Sequence, residues 1–241
     1  MQIRGLAFVP VAWGLWSLWG LYMLVILTVI SGHNHKPFIS DTGIQSPESV
    51  VYTIVFMVLS ILGPGVAFLQ YKFMLYRSEP AEKSFVIIQR ILFVIGWIVS
   101  FGTTVNAIFS VRSNPLAHRI GAGIGFVGTA IYNVCQAGLL YRTSYSSRLM
   151  CHIRLAAALG TIVILVLFAV GMGSFYSELC TGQCSEIFYL PVLVSEYVGF
   201  CGLTLHQLFS YTDFQSLTLT VSRKGITICL REKTEDPKNP A

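Results

Sequence analysis

Charged residues are scarce in this 241-residue chain, at 11% of the sequence, whereas a soluble globular domain has about 25%. That shortage excludes a surface that faces water on all sides. Hydrophobic residues make up 54% of the chain, and the mean hydropathy is +0.67. We therefore interpret the chain as an integral membrane protein.

The sequence also lacks the features of several other classes. The net charge of +5 comes from scattered basic residues rather than a basic block with interleaved aromatics, so nucleic acid is not an expected partner. Apolar and polar residues do not alternate over stretches of ~10, as a transmembrane β-barrel requires. Six cysteines are too few for a disulfide scaffold in a chain of this length.

Apolar residues instead form uninterrupted blocks close to the ~20 residues that a helix needs to cross a bilayer. Such blocks are helices because backbone amides in hydrocarbon must be satisfied within their own segment. We predict an all-α bundle of six spans at residues 6–30, 50–71, 86–110, 121–141, 155–175 and 187–211. This domain, residues 1–211, precedes a tail, residues 212–241, whose last ten residues we expect to be disordered.

The distribution of basic residues predicts the orientation of the spans. Only Lys36, Arg112 and Arg119 fall on the side opposite the N-terminus, which leaves 13 of the 16 Lys and Arg residues on the side of both chain ends. Loops rich in Lys and Arg stay in the cytosol. We therefore expect both termini to be cytosolic and the first loop to be lumenal.

The first loop is the most distinctive segment of the sequence. Asp41, Thr42 and Gly43 favour a turn, because Asp accepts local backbone amides and Gly tolerates positive φ. One interpretation is a loop that folds back on the bundle. The other is that Asp41 and Glu48, with His33 and His35, bind a cation or a lipid head group. The spacing matches no metallohydrolase signature, so we predict no metal site.

A few polar residues fall inside the predicted spans. Glu196 is the only carboxylate well inside one, where a charge costs ~2.5–3.5 kcal/mol on insertion scales. Gln207 shares its helix face, three turns further on. We predict a cluster of these residues, either as hydrogen bonds between helices or as a polar cavity for a head group, a proton or a solute. Its members are Asn106, Asn133, Gln136, Glu196 and Gln207.

Glycines and cysteines suggest further contacts. Gly121 and Gly125 have the spacing that lets a neighbouring helix approach closely, and we expect that neighbour to belong to the same bundle. Cys180 and Cys184 share a predicted lumenal loop, where we favour a disulfide. Cys151 lies at the predicted cytosolic edge, where palmitoylation is an alternative to packing.

Two tetrapeptides, residues 71–74 and 211–214, have the form of tyrosine-based sorting signals. Their tyrosines would serve equally well as interfacial anchors.

The first loop resembles a family motif. Residues 38–43, Phe-Ile-Ser-Asp-Thr-Gly, followed by Pro47 and Glu48, are similar to the first-loop motif of the Frag1/DRAM/Sfk1 family, whose members usually have Tyr where this chain has Phe38. Within the family, the damage-regulated autophagy modulators are the most similar. Residues 5–10, 151–154 and 213–219 support the resemblance, which spans essentially the whole chain. Family members similarly keep a Gln near Gln136 and a Glu near Glu196.

The resemblance implies a six-helix protein of endomembranes, especially lysosomes, that promotes autophagy. We expect a regulator with no catalytic residues and no cofactor, whose partners are membrane lipids or other membrane proteins. Relatives act in lipid remodelling of GPI anchors or as plasma-membrane scaffolds for a phosphoinositide kinase, and these functions are the alternatives. A channel or transporter is the least favoured, because the spans offer few polar groups and no paired charges.

Overall fold

The computed structural model describes residues 2–4, 6–33, 37–78, 82–142, 147–175, 183–215, 217–222 and 225–230. Six helical segments in these residues are long and apolar enough to cross a membrane, which confirms the predicted six-span bundle. The helices are α1 (Phe8–Ile30), α2 (Glu48–Arg77), α3 (Lys83–Ile108), α4 (Pro115–Ala122), α5 (Gly128–Leu140), α6 (Arg148–Phe175) and α7 (Gln183–Phe214). A π-helical segment, Gly123–Val127, joins α4 and α5 into the fourth span.

Five of the six spans begin earlier in the chain than predicted, and the fourth and fifth differ most. The fourth begins at Pro115 rather than Gly121, because the Asn114 side chain caps it by accepting a hydrogen bond from the Ala117 amide at 3.0 Å. Proline suits the first helical position, where its missing N–H is not needed. The fifth span begins at Arg148 rather than Leu155. Hydropathy finds the apolar part of a span and misses the polar turns that continue the helix beyond it.

The six spans pack in a closed ring. Each contacts the next along the chain, and α7 contacts α1 to complete the circle. The outward faces are apolar and exposed, as Ile91, Ile98 and Phe101 of α3 illustrate. Such faces suit lipid, so contacts between spans depend on packing and hydrogen bonds rather than on hydrophobic burial.

A small antiparallel sheet joins the two ends of the chain. Strands β1 (Gln2–Arg4), β2 (Leu217–Ser222) and β3 (Gly225–Leu230) lie in the order β1-β2-β3, with Ile3 opposite Leu219. The three strands therefore lie at one end of the bundle, which we name the terminal end; the opposite end is the first-loop end. The side of the membrane that each end faces stays a prediction.

The start of the tail packs on the bundle. The predicted domain boundary at residue 211 falls inside α7, which continues to Phe214. Phe214 and Leu217 are buried with Phe73 in a core cluster at the terminal end. The predicted disordered residues 232–241 lie outside the described part of the chain.

A buried ion pair closes the terminal end. Arg154 of α6 and Asp213 of α7 are each 1% exposed. The guanidinium donates to both Asp213 carboxylate oxygens, at 2.5 and 3.1 Å, and to the Phe209 carbonyl. Its charge is thus neutralised inside the bundle rather than facing the solvent of a loop. Removing one partner of such a pair leaves an uncompensated buried charge, so the pair fixes α6 against α7.

Glycines allow the fourth span to approach α3 closely. A Cβ added at Gly121 would lie 2.6 Å from the Asn106 backbone nitrogen, and one at Gly125 would lie 3.1 Å from the Thr103 hydroxyl. Both glycines therefore pack within the bundle, in the intramolecular role that their spacing suggests. Gly123 lies on the same span with open space around it.

We expect Gly121→Ala to destabilise the protein by about 1–3 kcal/mol, because the new methyl group meets backbone atoms that cannot move away without separating the helices. Gly123→Ala, the matched control, should be neutral or slightly stabilising. Thermal unfolding of both variants in detergent, followed by tryptophan fluorescence, measures the difference. Equal melting temperatures would show that the two spans are further apart than the structure describes.

Candidate functional site

The first loop forms a compact turn with two buried anchors. Phe38 and Ile39 are 4% and 3% exposed, and they insert into two separate core clusters. A short 3-10 turn, Asp41–Gly43, follows. The Asp41 carboxylate accepts the Phe38 amide hydrogen at 3.3 Å, and the Thr42 hydroxyl donates to the Ile39 carbonyl at 2.6 Å. The motif therefore satisfies part of its own backbone and presents its apolar residues to the bundle.

Two residues of the last span form hydrogen bonds with the backbone of this turn. Glu196 of α7 accepts the Ile39 amide hydrogen at 2.7 Å and the Ser40 amide hydrogen at 3.4 Å, one on each carboxyl oxygen. The neighbouring Tyr197 donates its hydroxyl hydrogen to the Pro37 carbonyl at 2.8 Å. The first loop thus folds back on the bundle, as one of the two sequence interpretations expected. The intramembrane carboxyl is engaged by backbone donors of the motif itself.

Gly43 brings the turn against α2. A Cβ at this position would lie 3.1 Å from the Tyr52 ring, so a side chain would push the turn outwards. The Tyr52 hydroxyl donates to Asn106 Oδ1 on α3. The glycine of the motif is therefore required by close approach to an aromatic ring.

Polar residues around the turn line a recess, which we name the first-loop pocket. It has a cavity volume of about 130 Å³ and lies between the end of α1 and the start of α2. Its lining residues are Thr28, His33, Asp41, Thr42, Ile44, Gln45 and Glu48.

A contact between a histidine and a carboxylate, and a carboxyl with a raised pKa, characterise this pocket. His33 Nδ1 lies 2.8 Å from Glu48 Oε1. Burial raises the pKa of the Asp41 carboxyl, and the Phe38 amide hydrogen bond acts in the opposite direction. His35, the other histidine that the sequence suggested, lies outside the described residues. In the described part of the chain no three His, Cys, Asp or Glu side chains are grouped to hold a metal ion.

A second space lies among the helices and is named the interior cavity. It has a cavity volume of about 80 Å³ and is bordered by α1, α2, α3, the fourth span and α7. Its walls are mainly apolar, with Trp13, Phe56 and Phe200 among them, and none of the described residues that line it is Asp, Glu, Lys or Arg. Asn106 and Gln207 supply amide groups. The stretch of α3 between Gly96 and Asn106 makes the cavity roughly 15 Å long.

The five polar residues that the sequence suggested as one cluster occupy separate places. Glu196 holds the first loop, and Asn106 accepts from Tyr52. Gln207 donates to Asn133 at 3.2 Å, which links α7 to the fourth span. Gln136 faces Gln89 and Tyr132, at 3.5 and 3.3 Å. Only Asn106 and Gln207 line the interior cavity.

Several partners in these contacts carry no signal in the sequence. Tyr52 and Gln89 complete two of the hydrogen-bonded pairs, yet the residues around them in the sequence do not identify their partners. A buried polar group implies a partner, but hydropathy does not identify it because the partner lies on another span.

The structure changes the interpretation of Cys151. Its thiol is 2% exposed and packs in the terminal-end core with Phe73 and Phe214. A buried sulfur is closed to an acyltransferase in this conformation, so packing replaces palmitoylation as its role. The predicted Cys180–Cys184 disulfide lies outside the described residues and stays a prediction.

The two tyrosine tetrapeptides are also parts of helices. Residues 71–74 lie within α2, where Phe73 and Met74 are fully buried, and residues 211–214 end α7 with Phe214 fully buried. A sorting receptor would need those hydrophobic side chains accessible. The tetrapeptides therefore serve packing in this structure.

The fold and site define a class: a six-span membrane protein whose first loop is anchored on a carboxyl of the last span, above an uncharged interior cavity. The family model described as the Frag1/DRAM/Sfk1/Cwh43P N-terminal domain matches residues 5–217. The chain belongs to this family, and the resemblance of its first loop is confirmed.

Curated relatives cover nearly the whole chain. It is 26% identical to DNA damage-regulated autophagy modulator protein 1 of Homo sapiens over 227 residues, which is 91% of this chain and 95% of that protein. The Xenopus laevis protein of that name is 25% identical over the same shares. DNA damage-regulated autophagy modulator protein 2 of Rattus norvegicus is 25% identical over 58% of this chain and 52% of that protein. No solved structure matches the chain.

We expect Glu196→Gln to destabilise the protein by about 1.5–3 kcal/mol, because the new amide nitrogen faces one of the two backbone N–H groups and leaves it without an acceptor. The melting temperature should fall by roughly 5 °C in detergent. The matched control is Glu82→Gln, at an exposed site of the terminal end. If both variants have the melting temperature of the wild type, Glu196 does not anchor the loop.

Proposed function

We propose that this protein modulates autophagy in endolysosomal membranes, and that it acts without enzymatic chemistry by holding a lipid in the interior cavity. The biological part of the proposal rests on relatives that are named autophagy modulators and resemble this chain over nine tenths of its length. The physical part rests on the cavity. Integral membrane placement itself follows from the six apolar spans.

The interior cavity supports lipid binding by its shape and its lining. Ligand sites are typically apolar, with a few placed polar groups that orient the ligand. Here the walls are apolar, and the buried Nδ2 of Asn106 has no hydrogen-bond partner among the described residues. Because Oδ1 of Asn106 accepts from Tyr52, this nitrogen is held in place as a donor. An acceptor oxygen on a lipid would satisfy it.

The acidic groups support binding rather than catalysis. An enzyme of lipid remodelling would bring the carboxyls and the histidine together beside an acyl-chain-sized space. Instead, Glu196 accepts two backbone hydrogen bonds, and the first-loop pocket shares none of its described lining residues with the interior cavity. The convergence of His33, Asp41 and Glu48 on the first-loop pocket is the one observation that favours the remodelling alternative.

The variant Ala122→Trp tests the cavity, because a large side chain at this lining position fills space that a lipid would occupy. Ile131→Trp is the matched control on the exposed face of the same span. Native mass spectrometry of protein purified from cells in mild detergent should show about tenfold less retained lipid in Ala122→Trp, as expected for overpacking of ~1–3 kcal/mol. The control should retain as much as the wild type.

The same variants test the biological claim. The immunofluorescence of the wild type and of Ile131→Trp should overlap with a lysosomal marker. Both should restore autophagic flux in cells that lack the protein, whereas Ala122→Trp should not. A wild type without retained lipid, or full flux with Ala122→Trp, would contradict the proposal. Immunofluorescence of the protein confined to the plasma membrane would favour the kinase-scaffold alternative.

A further inference from the structure

The described lining of the first-loop pocket has more acidic than basic residues. Two carboxylates, Asp41 and Glu48, line it, and none of its described lining residues is Lys or Arg. Glu196 adds a third carboxyl on the side of α7, where it interacts electrostatically with Asp41. Among the lining residues that the structure describes, only His33 can carry a positive charge. Three acidic groups at one end of a bundle repel one another unless a cation or protons accompany them.

One carboxylate oxygen of Glu48 has no hydrogen-bond partner in the described part of the structure. The Glu48 side chain is 2% exposed, and its Oε1 meets His33 at 2.8 Å. Its Oε2 is buried and has no hydrogen-bond partner, and no other carboxylate oxygen in the described residues is in this state. The Ser31 hydroxyl and the Glu48 backbone amide also interact with this carboxylate, but neither meets hydrogen-bond geometry at Oε2. A buried acceptor without a donor costs ~1–3 kcal/mol, more when it is charged.

We propose that the first-loop pocket binds a primary ammonium group, which donates hydrogen bonds to Glu48 Oε2 and the Asp41 carboxylate. The remaining polar lining, Thr28, Thr42 and Gln45, supplies further oxygens for the third N–H. This inference does not rest on lipid binding in the interior cavity.

Two other kinds of cation fit the pocket less well. A quaternary ammonium is recognised by aromatic faces, and no Trp, Tyr or Phe is among the described lining residues. A metal ion needs three or four ligands close together, and the described side chains include no such group.

The position of the pocket allows two sources for the amine. It lies where α1 ends and α2 begins, which is the level of lipid head groups for spans of this length. A phosphatidylethanolamine head group and a small soluble amine both present the same ammonium group. Free ethanolamine in detergent and phosphatidylethanolamine in nanodiscs separate the two sources.

The test measures the melting temperature of the purified full chain. In detergent, millimolar ethanolamine should raise it, and choline, which has a quaternary nitrogen on the same skeleton, should not. In nanodiscs of phosphatidylcholine, adding phosphatidylethanolamine should raise it if the source is the head group. A response to free ethanolamine alone assigns the source to soluble amines. No response in any arm, or an equal response to choline, overturns the proposal.

Two variants separate binding from folding. Glu48→Gln should weaken the ethanolamine response about tenfold, because a charge-assisted hydrogen bond is lost. His33→Lys places a tethered ammonium beside Glu48, since this side chain is 32% exposed and borders the pocket. It should raise the melting temperature without ligand and abolish the response. A normal response in His33→Lys would overturn the proposal even if Glu48→Gln failed to fold.

Discussion

A carboxyl group inside a membrane span requires hydrogen-bond donors, and the backbone of an irregular loop requires acceptors. In this protein the two requirements meet, because Glu196 accepts the amide hydrogens of Ile39 and Ser40. Neither group would be stable in its place without the other. The rest of the first-loop end follows from this contact: Phe38 and Ile39 insert into the core, and Gly43 lies against Tyr52.

The anchored turn also connects the two spaces in the molecule. Asp41 and Thr42 line the first-loop pocket on one side of the turn. On the other side, Gly43 packs on Tyr52, whose hydroxyl holds Asn106 at the wall of the interior cavity. The short family motif thus contributes an acidic residue to a recess at the first-loop end and helps to position an amide donor at the wall of the interior cavity.

Sequence reasoning succeeded where the signal is local. Length and hydropathy identified six spans, and Asp41-Thr42-Gly43 indicated a turn because those residue types determine their own backbone. It failed where partners are distant in the chain. Arg154 is one of the 13 basic residues assigned to the loops and ends on the side of the termini. In the structure, Asp213 on another span neutralises it inside the bundle. Of the intramembrane polar residues predicted to form one cluster, Gln207 and Asn133 do pair, whereas Glu196, Asn106 and Gln136 bond to groups outside the set. The pairing of β1 with β2 joins opposite ends of the chain and has no local signal.

Amide hydrogen exchange at Ile39 and Ser40 measures the central contact most directly. In the full chain reconstituted into nanodiscs, we expect both amides to exchange as slowly as those within the spans, because each donates a hydrogen bond to a buried carboxyl. Exchange of these two amides at the rate of an open loop would contradict the account.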